Sequence, residues 1–147
     1  MINFETEYLN IWINEEVNLL YSEWLQPITG EGYRQEIEKL TTLLQAHTLK
    51  CGIADWSRLG DILPEDQRWT LQKVLPDIVA SGVSKLARVS GEDRVSFNKF
   101  KDFMEKASFA GLGNVDIRQF MSYKEAADWV GEFRYNFFFF RAHPHFN

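Results

Sequence analysis

The chain carries one cysteine, Cys51, so an internal disulfide is excluded. Cys51 lies beside Gly52 and Ile53 in an apolar run, which reads as a buried thiol in a reducing compartment, and the expected location is the cytoplasm. Residues Met1 to Glu7 lack a basic segment followed by an apolar one, so no secretory signal is expected. No apolar run approaches the roughly 20 residues that a membrane helix needs. Basic residues form no stripe and the net charge is −5, so nucleic acid is not an expected partner. Histidine, the usual base near neutral pH, occurs three times. His47 continues the apolar stripe of a helix and reads as a core or capping residue. His143 and His145 flank Pro144 in the tail, where they could chelate a metal only weakly. Neither a G-x-S-x-G elbow nor a phosphate-binding glycine loop occurs, and Gly111-Leu112-Gly113 follows a helix instead of preceding one. No catalytic residue, metal site or cofactor is assigned on this basis.

What is present is a hydrophobic and aromatic chain, 45% and 15% of its 147 residues. One domain of this length buries roughly 70% of its unfolded surface and needs no cross-link to hold a core. Leu9, Ile11 and Ile13 alternate with Tyr8, Asn10, Trp12 and Asn14, the pattern of a strand. A polar turn at Asn14-Glu15-Glu16 leads into a second strand over 17–25, completing an N-terminal hairpin. Thr29 can cap a helix whose stripe runs Tyr33, Ile37, Leu40, Leu44 and His47. Cys51 to Asp55 reads as a buried strand. Pro64 suits a helix first turn, Gly82 ends that helix, and Pro76 kinks it. A strand over 85–89, a helix capped by Ser96, a strand over 115–121 and a helix opened by Ser122 and Glu125 follow. The predicted class is α/β, in the order ββαβαβαβα. Its mixed sheet is mostly parallel, with right-handed crossovers, and it packs against about four helices.

That order, with Leu20-Tyr21-Ser22-Glu23-Trp24, Ala54-Asp55 before Arg58-Leu59-Gly60, Pro64 to Trp69, Gly82 to Lys85 and Tyr123 to Val130, resembles the STAS-like, SpoIIAA-like domains. These are related to bacterial anti-sigma-factor antagonists and share a core with Sec14-type lipid-binding domains. The resemblance spans about 8–133; a single domain over 1–134 followed by an aromatic tail over 135–147 is the expected organisation. It implies a protein-binding or small-ligand module. The antagonists carry a phosphorylatable serine in an Asp-Ser-Ser-Gly-type sequence. The match here is Asp55-Trp56-Ser57, which lacks the second serine and the glycine and lies well before the helix at Pro64.

The densest group of candidate site residues is Asp55, Trp56, Ser57, Arg58, Asp66 and Trp69, with Asp61 among them. Asp55 closes a central strand, where open α/β sheets place ligands. Its plain alternative is a loop cap, that of Asp66 is a helix-dipole partner, and that of Asp61 is a solvated side chain. Trp69 lies about 160° from the centre of the stripe formed by Leu71, Val74, Leu75, Ile78 and Val79 on a regular helix. It is therefore either an interface anchor or covered by the loop over 59–63.

Phe137, Phe138, Phe139 and Phe140 make the tail apolar on every side, so it must be covered, and a homodimer is the expected arrangement. Three readings follow. The first is a non-enzymatic regulatory or scaffolding module that binds a protein partner. The second is a carrier or sensor of a small apolar, lipid-like ligand. The third is an enzyme using Asp55 and Asp66. An enclosed apolar cavity favours the second, a shallow surface carrying a bare Trp69 the first, and two carboxylates converging within about 5–9 Å in a cleft the third.

Overall fold

The computed structural model describes residues 1–131, leaving aside the side chains of Phe109 and Ala110. The domain boundary near 134 and the tail residues Phe137 to Phe140, His143 and His145 lie outside the described residues. Six strands form one sheet in sequence order: β1 (Ile2–Glu5), β2 (Leu9–Asn14), β3 (Leu19–Trp24), β4 (Cys51–Asp55), β5 (Lys85–Val89) and β6 (Asp116–Phe120). β1, β2 and β3 are antiparallel, and β3 to β6 run parallel. This is the mixed, mostly parallel sheet expected, with one strand more than predicted. β1 escaped because its Ile-Asn-Phe-Glu alternation lasts only four residues, three of them exposed on the sheet edge, too short a run to mark a strand.

Helix α1 (Gly30–Ala46) links β3 to β4. α2 (Pro64–Trp69), a π-helical turn over Thr70–Val74 and α3 (Leu75–Ser81) link β4 to β5. α4 (Arg94–Ala110) links β5 to β6, and α5 (Tyr123–Val130) closes the described chain. None of these helices is long and apolar enough to cross a membrane.

Strand alternation divides the core in two. Leu9, Ile11, Ile13, Leu20 and Trp24 face α1 and the α2–α3 segment, meeting Tyr33, Ile37, Leu44 and Val74. Leu19, Tyr21, Ile53, Ala87 and Val89 face α5, meeting Tyr123, Ala126, Ala127 and Val130. Tyr21 and Tyr123 meet edge to face, with centroids 5.4 Å apart. Parallel strands covered on both faces need apolar residues at nearly every position, which β3 and β4 largely supply.

Two helix starts differ from expectation. Thr29 occupies the cap position of α1, but its side chain makes no capping bond. The Gly30 N–H donates instead to Asp66 Oδ2 at 2.8 Å. At α4 the cap is Asp93, whose carboxylate accepts the Val95 and Ser96 N–H groups. Ser96 falls inside the first turn and its hydroxyl is free for another use. Pro76 does disturb its helix. Lacking an N–H, it cannot continue the α-helical ladder, and just before it the Leu75 N–H bonds to Thr70 O, five residues back. His47 sits at the C-cap of α1, its N–H bonded to Leu43 O, with Nδ1 3.5 Å from Glu15.

Candidate functional site

The parity of the central strands builds the site. Gly52 and Ala54 of β4, Leu86 and Arg88 of β5, and Ile117 and Gln119 of β6 share the face toward α1, α3 and α4. Between that floor and the helices lies an apolar cleft of about 140 Å³. Ile37 and Leu44 come from α1, Ile78 from α3, and Phe100, Phe103 and Met104 from α4. Gly52 keeps the floor low, since a Cβ there would stand 2.7 Å from Leu86 Cδ2. α4 roofs the cleft lightly. Among its described side chains only Phe100 and Ala107 are buried, so the helix stands off the sheet.

One end of the cleft is not apolar. Arg88 is 7% exposed, with its guanidinium 4.6 Å from the Phe100 ring centre and 5.1 Å from that of Trp56. Its Nη1 donates to Gln119 Oε1 at 3.0 Å and its Nη2 to Ser96 Oγ at 2.6 Å. Its Nε is buried without a partner. Among the described residues no carboxylate is close enough to form an ion pair with it. Burial pushes the guanidinium down to about 10, against the pull of Asp55 and Asp93, so it remains a cation at neutral pH. A second, smaller pocket of about 30 Å³ adjoins the same side chain and is shared with Ser96, Gln67, Thr70 and Lys99. Above it Lys99 of α4 pairs with Asp61 at 3.1 Å, tying the roof to the loop before α2.

No protein-family model and no curated protein matches the chain. A solved structure does. An uncharacterised protein of the DUF3478 family with a SpoIIAA-like fold, from Shewanella loihica PV-4, superposes with a TM-score of 0.57. It covers 89% of this chain and 100% of its own, at 14% identity. The fold is SpoIIAA-like. At that identity the likeness shows the architecture alone, and the chemistry has to come from the residues present.

Within this SpoIIAA-like fold the expected site residues separate. Asp55 follows Cys51 and Ile53 on the alternation that faces α5, and its Oδ1 accepts both the N–H and the hydroxyl of Ser57, closing its own loop. Ser57 and Arg58 are exposed. Asp66 is fully buried on the opposite side of the sheet, where it accepts from Gly30 and pairs with Arg34 at 3.2 Å. The two carboxylates therefore share no cleft. No cluster of metal-binding side chains is found among the described residues. Trp69 is half-buried, with its ring edge-on to Tyr33 and the Arg34 guanidinium 5.6 Å from its centre. The π-helical turn after it resets its angle relative to the α3 stripe, which is why an outward position on a regular helix is not what it occupies.

Of the expected group, only Trp56 reaches the cleft, where it meets Phe100 edge to face at 6.0 Å. The residues that sequence reasoning passed over are Arg88, Ser96, Phe100 and Gln119. Arg88 did leave a signal. It is a charged residue at an inward position of a strand covered on both faces, and such a charge must be buried.

Proposed function

We propose that the protein is a small-ligand module, taking an apolar molecule into the cleft between the sheet and α4. The observation that supports this reading is the cleft itself, about 140 Å³ of apolar space under a lightly attached helix. The cleft is half-open, so a ligand can reach it from solvent without the core unpacking. An apolar cavity of roughly 150 Å³ in another protein stays dry and takes up benzene or xenon. Trp69, the anchor that a protein-binding reading would use, packs part of its ring against Tyr33 and Arg34, which favours the cleft over that surface.

The test is toluene titrated into the full chain, followed by amide and methyl chemical shifts. Saturable shifts at Ala54, Leu86 and the Trp56 indole are expected. A spectrum unmoved at saturating toluene would overturn the reading. Native mass spectrometry of the protein as purified from cells then identifies any passenger already bound.

A further inference from the structure

Arg88 adds a chemical requirement that an apolar cleft alone does not. A buried guanidinium carries five N–H donors and one positive charge. Here two neutral acceptors, Gln119 and Ser96, take one donor each, and Nε has none. Hydrogen bonds to an amide and a hydroxyl do not neutralise the charge, Asp55 and Asp93 act on it only from beyond ion-pair distance, and a buried charge without a contacting counterion is costly. The Trp56 and Phe100 rings offer partial compensation through their faces. We propose that the missing counterion is the ligand's own carboxylate, so that the protein binds a small apolar monocarboxylic acid. This rests on the ligand-module reading above.

The dimensions divide a ligand of that kind correctly. The cleft of about 140 Å³ matches a body near the size of benzene, and the adjoining pocket of about 30 Å³ matches a group the size of one water or a carboxylate. Arg88 lines both, so its guanidinium stands where body and head would join. Its Nε hydrogen is unpartnered and each Nη keeps one hydrogen beyond the bonds to Gln119 and Ser96, so the guanidinium retains donors for a carboxylate. Lys99 lines the head pocket as well, but Asp61 takes its charge at 3.1 Å, which leaves Arg88 as the cation to be matched by a single negative charge. The loosely seated α4 offers a way in, with Phe100 and Phe103 stacked at 5.8 Å on its inner side.

The experiment titrates phenylacetate, phenylacetamide, phenethylamine and toluene into the full chain at pH 7, by calorimetry and by chemical shift. Phenylacetate is expected to bind at least about tenfold tighter than phenylacetamide, as a charge-assisted hydrogen bond implies. Phenethylamine is expected to bind more weakly than toluene. Shifts should centre on Trp56 and Ser96. In Arg88→Met the acid-over-amide preference should fall to about twofold or less. An amide that binds as well as the acid in the unaltered protein overturns the carboxylate inference and leaves the cleft reading standing. Retention of the preference in Arg88→Met does the same. Failure of toluene to bind removes both. Should Arg88→Met not fold, the acid, amide and amine series on the unaltered chain decides alone.

Discussion

Arg34 and Asp66 hold the first turns of α1 and α2 together through one 3.2 Å ion pair in which the carboxylate is fully buried and the guanidinium is about one-third exposed. Asp66 also receives the Gly30 N–H, taking up one of the donors that the start of α1 leaves unpaired, and its backbone carbonyl receives the Thr70 hydroxyl. Thr70 in turn meets the Tyr33 hydroxyl at 3.0 Å. The asymmetry in burial fixes what each substitution should do.

Replacing Arg34 with Met strands a buried carboxylate and should cost about 2–4 kcal/mol in urea unfolding. Adding Asp66→Asn in that background should then recover part of the loss, because the amide oxygen can still accept from Gly30 while the charge is gone. A double-mutant cycle is expected to give a coupling of at least about 1 kcal/mol. Strictly additive effects would show that the pair is a surface contact of no consequence.

α4 should be the least protected helix of the described chain. Its attachment rests on Phe100, Ala107, the Ser96–Arg88 contact, the bond from Gln119 Nε2 to Phe97 O at 2.8 Å and the exposed Lys99–Asp61 pair, and exposed pairs contribute little. Hydrogen exchange read by mass spectrometry should show residues 94–110 opening well before β3 and β4. Phe100→Ala should widen that gap and lower global stability by about 2–4 kcal/mol. Uniform protection across α1 and α4 would mean that the roof is fixed.

Five of the six strands and all the described helices, with α2 and α3 read as one helix kinked at Pro76, were legible because each had a period to read. Leu9, Ile11 and Ile13 mark a half-buried strand, and the β3 to β5 runs mark strands covered on both faces. The site was not legible in the same way. It is assembled from the inward positions of three strands and one side of α4, which are scattered between Gly52 and Gln119 and share no motif. Asp55 and Asp66 drew attention as carboxylates near one loop, yet the sheet passes between them. Arg88 is, in the sequence, one charge in a short strand of Lys-Leu-Ala-Arg-Val. Its meaning comes from β4 and β6 on either side, which leave it nowhere to reach water. Ser96 was read as a helix cap because a serine opening an apolar run usually is one. Asp93 takes that role, which frees the Ser96 hydroxyl for Arg88.

Ala54→Leu offers a direct measure of the cleft. Ala54 is on the strand face that forms the floor, level with Arg88 on the neighbouring strand. In a close-packed core three added carbons would cost about 1–3 kcal/mol. Here they have space to enter, so stability should change by less than about 1 kcal/mol while toluene uptake is abolished. A loss of several kcal/mol would show that the space is already filled by neighbouring side chains in solution.

The last prediction concerns alkaline pH, and its sign follows from four buried groups. Burial raises the phenols of Tyr21 and Tyr123, and it pushes Tyr33 up to about 12. Unfolded tyrosine ionises near pH 10. Between that value and the folded one the native state holds more protons than the unfolded chain, so stability is lost as pH rises. Each such phenol removes up to about 1.4 kcal/mol per pH unit in that window. Arg88 acts in the opposite direction. Its value is depressed to about 10, so above that pH the native state sheds a proton the unfolded chain keeps, and folding gains. Three acids outweigh one base. Stability measured by denaturant should therefore be level from pH 7 to about 9.5 and fall steeply from about 10 to 11.5. Absorbance at 295 nm should show the three buried phenols ionising only as the tryptophan fluorescence reports unfolding. Ionisation of all five tyrosines at pH 10 in a protein that is still folded would place these rings in contact with water, and the two-sided core described here would be wrong.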